Sequence, residues 1–156
     1  MNFLDKIKKK AQALGKRIVL PESSDERVLQ AAGKLQKEGL CEAILVGEPA
    51  TLHEKAQPLT IDLSNIEIVK IEKHLDEFEN AYFDLVRKPG ISREEVRRQL
   101  NNPLYFGAML VQTGYADGVV SGSLATTAEV LRAAIKAIGL QENISLVSSV
   151  FLMISP

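Results

Sequence analysis

The chain has 156 residues, 46% hydrophobic and 25% charged, with a formal net charge of -1, which suits one ordinary globular domain with a sizeable core. That balance, with 5 Phe and 3 Tyr not interleaved with basic residues, excludes the electrostatic footprint of a nucleic-acid binder. A single cysteine, Cys41, excludes an internal disulfide, and no stretch approaches the ~18 apolar residues of a membrane span; the expectation is a cytoplasmic protein with a small-molecule partner, no nucleic acid, no membrane and no metal.

Phe3, Leu4, Ile7, Ala11 and Leu14 recur at helical spacing and Gly15 follows as a C-cap, so a helix precedes the first strand. Arg17 to Leu20 reads as a short buried strand ended by Pro21. Ser23 and Glu26 are spaced as a capping box for a helix carrying Val28, Leu29, Ala32 and Leu35, closed by Gly39. Ala43 to Val46 is the second strand, and Gly47-Glu48-Pro49 turns into a short helix through Leu52 and Ala56. Residues 58–65 read as loop, and Ile66 to Ile71 alternates as an edge strand would.

Leu75 to Val86 has helical spacing and Pro89-Gly90 stops it. Ser92 and Glu95 form another capping box, opening a charged helix whose Arg97 and Arg98 read as a solvated face. Asn101-Asn102-Pro103 breaks that helix, and Gly107 to Leu110 are small and apolar enough for close packing. Short apolar strands alternating with helices predict an α/β fold, a three-layer, mostly parallel sheet. Residues 1–143 are expected to form the domain. Residues 144–156, rich in β-formers and nearly uncharged, are expected to be the first strand of a following region, cut short.

The stretch from Ala116 to Arg132 carries the functional expectation. Val119 and Val120 suit a buried strand, Ser121-Gly122-Ser123 lets the backbone come close to a ligand, and Thr126 with Glu129 makes a capping box that starts a helix. Amides, hydroxyls and the positive end of a helix dipole thus surround one point, as an anion site requires. Ser121, Ser123 and Thr127 are the expected hydroxyl donors, Gly122 the point of close backbone approach, and Thr126 is committed to capping. Arg132, five residues beyond Thr127, is the expected phosphate clamp. Turn chemistry and capping with no ligand explain the same residues. Pro21 to Asp25, after the first strand, is either a second ligand-facing loop or a capped turn.

The block Arg17-Ile-Val-Leu-Pro-Glu-Ser-Ser-Asp-Glu-Arg27-Val-Leu, then Ala116-Asp-Gly-Val-Val-Ser-Gly, then Thr126-Thr127 with Val130-Leu131-Arg132, and finally Leu146 to Met153 together resemble phosphate acetyltransferases. Their order and spacing match the amino-terminal half of that family. The resemblance implies reversible acetyl transfer between acetyl phosphate and coenzyme A, with coenzyme A as a substrate and no cofactor. It further implies a cytoplasmic homodimer with a fold like isocitrate and isopropylmalate dehydrogenases, truncated here. The serine, arginine and aspartate nearest the chemistry lie in the family's second half, so the chain is expected to be inactive alone.

Two departures stand out: Ala125 where many members have His, and Ala133 where they have Pro. Neither removes a phosphate donor. A further family arginine, placed at a helix end before a Lys-Gly turn, corresponds to Arg87 with a one-residue slip. A phosphate butyryltransferase, or a non-catalytic interaction module keeping the fold, are the alternatives. A dinucleotide-binding dehydrogenase is disfavoured, because no Gly-x-Gly-x-x-Gly follows a strand.

Overall fold

The computed structural model describes residues 2–86 and 91–154. Its elements run α1 (Phe3–Leu14), β1 (Arg17–Leu20), α2 (Glu26–Glu38), β2 (Glu42–Val46), α3 (Pro49–Ala56), β3 (Glu67–Val69), α4 (Ile71–Val86), α5 (Arg93–Leu100), α6 (Pro103–Gln112), β4 (Gly118–Val119) and α7 (Thr127–Ala137). The four strands pair in the order β3-β2-β1-β4, and every ladder is parallel.

Alternation along the strands explains the layering. Val19, Ile44 and Val46 face one core with Phe78, Tyr82, Val96, Leu100, Phe106 and Met109, while Leu20, Ala43 and Leu45 face the other with Leu29, Leu52, Leu63 and Ile66. Helices α4 to α7 therefore cover one face and α2 and α3 the other, because a parallel sheet must bury both. This is the three-layer α/β arrangement that the sequence predicts.

Strand order places the site. The chain steps from β1 to β2 to β3 in one direction and then returns to lay β4 on the opposite side of β1. Loops leaving adjacent strands that are wound in opposite senses diverge, so a crevice opens at their carboxyl ends. Here those loops are 21–25 after β1 and 120–126 after β4.

Three local features differ from the sequence reading. Ser23 does not cap α2: Asp25 does, its carboxylate accepting from Arg27 N at 2.9 Å. Ser23 is fully buried instead, its hydroxyl donating to Leu20 O at 2.6 Å and accepting from Val46 N at 2.8 Å. The ends of two parallel strands each leave an unpaired polar group, and this hydroxyl satisfies both. The Ser92 box is only half made, since Glu95 turns its carboxylate to Gln99 and Arg98.

The third concerns Arg97, which is exposed as a solvated face requires but also bridges Asp76 at 3.0 Å and Glu79 at 2.8 Å, tying α5 to α4. The Thr126 box is complete. Residues 144–154 carry no strand, and Val150, Phe151 and Met153 are 92%, 95% and 88% exposed. No described strand lies beside them to complete a ladder. The turn at Pro89-Gly90 and Arg87 lie outside the described residues.

Candidate functional site

The β4 loop has the expected shape, and its amides converge on one anion. That anion is the protein's own. Glu22, one residue beyond Pro21 at the end of β1, turns its carboxylate across the crevice. Oε2 accepts from the amides of Gly122 and, at 2.9 Å, Ser123; Oε1 accepts from Leu124 at 2.8 Å and Ala125 at 2.6 Å. The next amide, Thr126, goes to the Glu129 carboxylate at 2.7 Å. Two carboxylates therefore take five consecutive N–H groups.

Glu22 is only 7% exposed. Burial pushes its pKa up, but the four amides outweigh burial and hold the carboxyl below its ordinary value. Gly122 has φ of 108°, a conformation that the chirality of other residues disfavours, and this lets successive amides turn toward one point. The expectation that the amides of Gly122 and Ser123 stand free for a ligand is thus not met, because an intramolecular carboxylate reaches them first.

The hydroxyls divide differently. Thr126 Oγ1 accepts from the Glu129 amide at 3.3 Å, as its capping role requires, and donates to the Glu129 carboxylate at 2.8 Å. Ser123 Oγ is buried without a hydrogen bond of good geometry among the described residues, although it lies near enough to the Asp25 carboxylate to help hold it ionised. Arg27 joins the same corner, pairing with Asp25 at 2.6 Å and donating to Ser123 O at 2.7 Å. Chiefly through that Arg27 contact, the Asp25 carboxyl is pulled down to about 2.

Ser121, Thr127 and Arg132 keep their side-chain donors uncommitted among the described residues. Ser121 lines a cavity of about 380 Å³ with Glu22 and Arg27, and another of about 300 Å³ with Val130 and Ala134. A third, of about 350 Å³, opens between Glu22, Asn102, Ala125 and Glu129. A larger hollow of about 480 Å³ lies away from the loop, between α2 and residues 60–65.

Arg132 is exposed on α7, and the structure does not fold it onto the loop. Its charge is felt instead at Tyr105, where it partly offsets the upward push of burial, and at Glu129, whose carboxyl is held low mainly by the Thr126 amide and hydroxyl. Asp117 anchors the strand rather than serving as a base: it accepts from Lys16 Nζ at 2.6 Å and from Arg17 N at 2.8 Å.

Glu22 is the residue that sequence reasoning missed. Its signal was present: an acidic residue at the carboxyl end of one strand, opposite an amide-rich loop that contains no Lys or Arg of its own.

The family model described as phosphate acetyl/butaryl transferase matches residues 2–156. The chain belongs to that family. Among its relatives, the phosphate acetyltransferase of Nitratidesulfovibrio vulgaris is 40% identical over 97% of this chain and 21% of its own length. That of Acetivibrio thermocellus is 35% identical over 100% of this chain and 47% of its own. Among solved structures, a phosphotransacetylase from Streptococcus pyogenes superposes with a TM-score of 0.86 at 32% identity, covering 94% of this chain and 46% of that one. The EutD phosphotransacetylase from Staphylococcus aureus gives 0.81 at 36% identity, covering 92% and 44%. This phosphate acetyl/butaryl transferase family member therefore spans less than half the length of these relatives.

Proposed function

We propose that these 156 residues form the phosphate-facing, amino-terminal portion of an acyltransferase that interconverts acetyl phosphate plus coenzyme A with acetyl-CoA plus phosphate. The observation that carries this reading is the set of uncommitted donors at the α7 entrance, Ser121, Thr127 and Arg132, beside the crevice between β1 and β4. Relatives named phosphate acetyltransferase support the reaction.

In that reaction a coenzyme A thiolate attacks the acetyl carbonyl and phosphate leaves. Charge builds on the carbonyl oxygen and on the departing phosphate, and both must be met by fixed donors. Ser121 and Thr127 serve the phosphate end by donating from hydroxyls that no described group claims. Arg132, long and without a hydrogen bond among the described residues, swings from α7 to pair with phosphate oxygens. Asp117 is no candidate for the thiol's base, because Lys16 and the Arg17 amide hold it. Arg87 joins the phosphate-facing set on the resemblance alone.

The fragment by itself is proposed to bind phosphate weakly and to turn over negligibly. A coupled assay for acetyl-CoA formation tests this; turnover near about 10 per second, an ordinary enzyme rate, overturns it. A thermal-shift series with acetyl phosphate, coenzyme A, NAD and ATP tests the substrate class, with a rise in Tm for the first two and none for the last two. The family's description spans acetyl and butyryl chains, so butyryl phosphate belongs in the same series. A cytoplasmic location, in keeping with a single cysteine, Cys41, and a homo-oligomer, on the resemblance alone, complete the reading.

A further inference from the structure

Besides the bond from Arg27 to Ser123 O at 2.7 Å, the loop after β4 has few anchors other than Glu22. Strand β4 is two residues long and shares only two register pairs with β1, Ile18 with Gly118 and Val19 with Val119, extended by one bond from Val120 N to Val19 O at 2.9 Å. Beyond Val120 the backbone from Gly122 to Ala125 is held by the Glu22 carboxylate. An amide nest of this kind ordinarily recruits a phosphate. Here a second anion in the nest would meet the Glu22 charge at contact distance, with Glu129 one amide further on. The first amides left over at the α7 entrance are those of Thr127 and Ala128.

We propose that Glu22 is a positioning residue of the phosphate-facing site: by filling the nest of residues 122–125 from the β1 side, it fixes the loop and turns substrate phosphate away from the nest, toward Ser121, Thr127 and Arg132. This rests on the acyl-phosphate reading above. The carboxylate acts twice. It replaces the missing strand ladder with charge-assisted hydrogen bonds, and it closes the most attractive anion position that would compete with the productive one. A glutamine at position 22 keeps the shape but offers one acceptor oxygen in place of two and no charge. An alanine opens the nest.

Two-dimensional NMR of the 156-residue chain, titrated with inorganic phosphate, tests the assignment. In ligand-free protein the exchange of the Gly122 to Ala125 amides rises at least about tenfold in Glu22→Gln, as loss of a charged acceptor requires, while the β1 and β2 amides keep their rates. With phosphate, wild-type signals of Thr127 and Arg132 move and the four nest amides stay in place; in Glu22→Ala the nest amides move as well. That relocation is a response that a merely structural Glu22 does not give.

Unchanged nest exchange in Glu22→Gln overturns the assignment, and so does movement of the nest amides by phosphate in the wild type. Absence of any response at Thr127 and Arg132 counts against the acyl-phosphate reading instead, and leaves the exchange measurement to decide on Glu22. If Glu22→Ala loses its fold, Glu22→Asp replaces it: one methylene short, it returns the charge without the reach, and phosphate is expected to move its nest amides more than in the wild type.

Discussion

The carboxylate of Glu22 stands 2.6 Å from the amide of Ala125, a contact that joins residues 103 positions apart across the crevice between β1 and β4. Glu22 and its neighbour Asp25 both titrate below their ordinary values, Glu22 because four amides outweigh its burial and Asp25 chiefly because Arg27 pairs with it and draws it to about 2.

Acid should therefore weaken this corner. A carboxyl whose folded pKa lies below its unfolded value stabilises the fold fully above the unfolded value, near about 4, and loses that contribution as pH falls through the folded one. Stability is expected to hold steady from neutral pH down to about 5 and to decline between about 4 and 2. Urea midpoints measured across that range check it. Asp25→Asn should flatten the decline, and an equally steep decline in Asp25→Asn and Glu22→Gln would show that other carboxylates govern it.

Ser23 joins the ends of two strands, so Ser23→Ala should cost more than a surface serine would. It leaves the Val46 N–H and the Leu20 C=O unsatisfied inside the protein. A buried donor or acceptor left unmade costs about 1–3 kcal/mol, equivalent to a Tm lower by roughly 2–12 °C for a domain of this size. Thermal unfolding followed by circular dichroism checks it. Ser24→Ala, on the exposed neighbour, is the control and should change little.

Gly107 on α6 packs against the same end of β1. A Cβ built there meets Pro21 Cβ at 3.0 Å and a Val19 methyl at 3.3 Å. Pro21 is a rigid ring and Val19 is fully buried, so neither gives way freely. Overpacking of about 1–3 kcal/mol then outweighs the ~1 kcal/mol that alanine gains in helix propensity. Gly107→Ala should lower stability, and by shifting Pro21 it should also speed hydrogen exchange at Gly122 to Ala125. Faster exchange without Pro21 movement in a crystal structure would break the link.

The parallel sheet and its two covered faces were legible in the sequence because each strand is a short apolar run with a turn behind it. Val19 and Leu20, adjacent in sequence, face opposite cores, and that alternation needs no tertiary knowledge. The Thr126 box was legible for the same reason: both partners lie three residues apart. Ser23 shows where local reading fails. Its spacing from Glu26 suits a capping box, yet a bond to Val46, 23 residues away, claims the hydroxyl.

Glu22 was hidden by distance in the same way. Its four donors are local to one another but 100 to 103 residues from it, and only the return of β4 beside β1 brings them together. The loop therefore looked like an open anion site when read alone. What the sequence did reveal correctly was its chemistry: a nest of amides that wants a negative charge.

Arg132 offers the sharpest separation of binding from folding. It is exposed and makes no hydrogen bond or ion pair with a described residue, so Arg132→Ala should leave Tm within about 1–2 °C, as surface changes usually do. Phosphate affinity should nonetheless fall by about tenfold or more, the loss expected when a charged hydrogen-bond donor is withdrawn. Arg132→Lys should recover only part of it, because a point charge cannot reproduce two parallel N–H donors. Calorimetric titration of inorganic phosphate into the three proteins, at low salt so that weak binding is visible, makes the comparison. Equal affinity in all three would remove Arg132 from the site and leave phosphate to Ser121, Thr127 and the α7 entrance. A large fall in Tm would mean that Arg132 already has a structural partner.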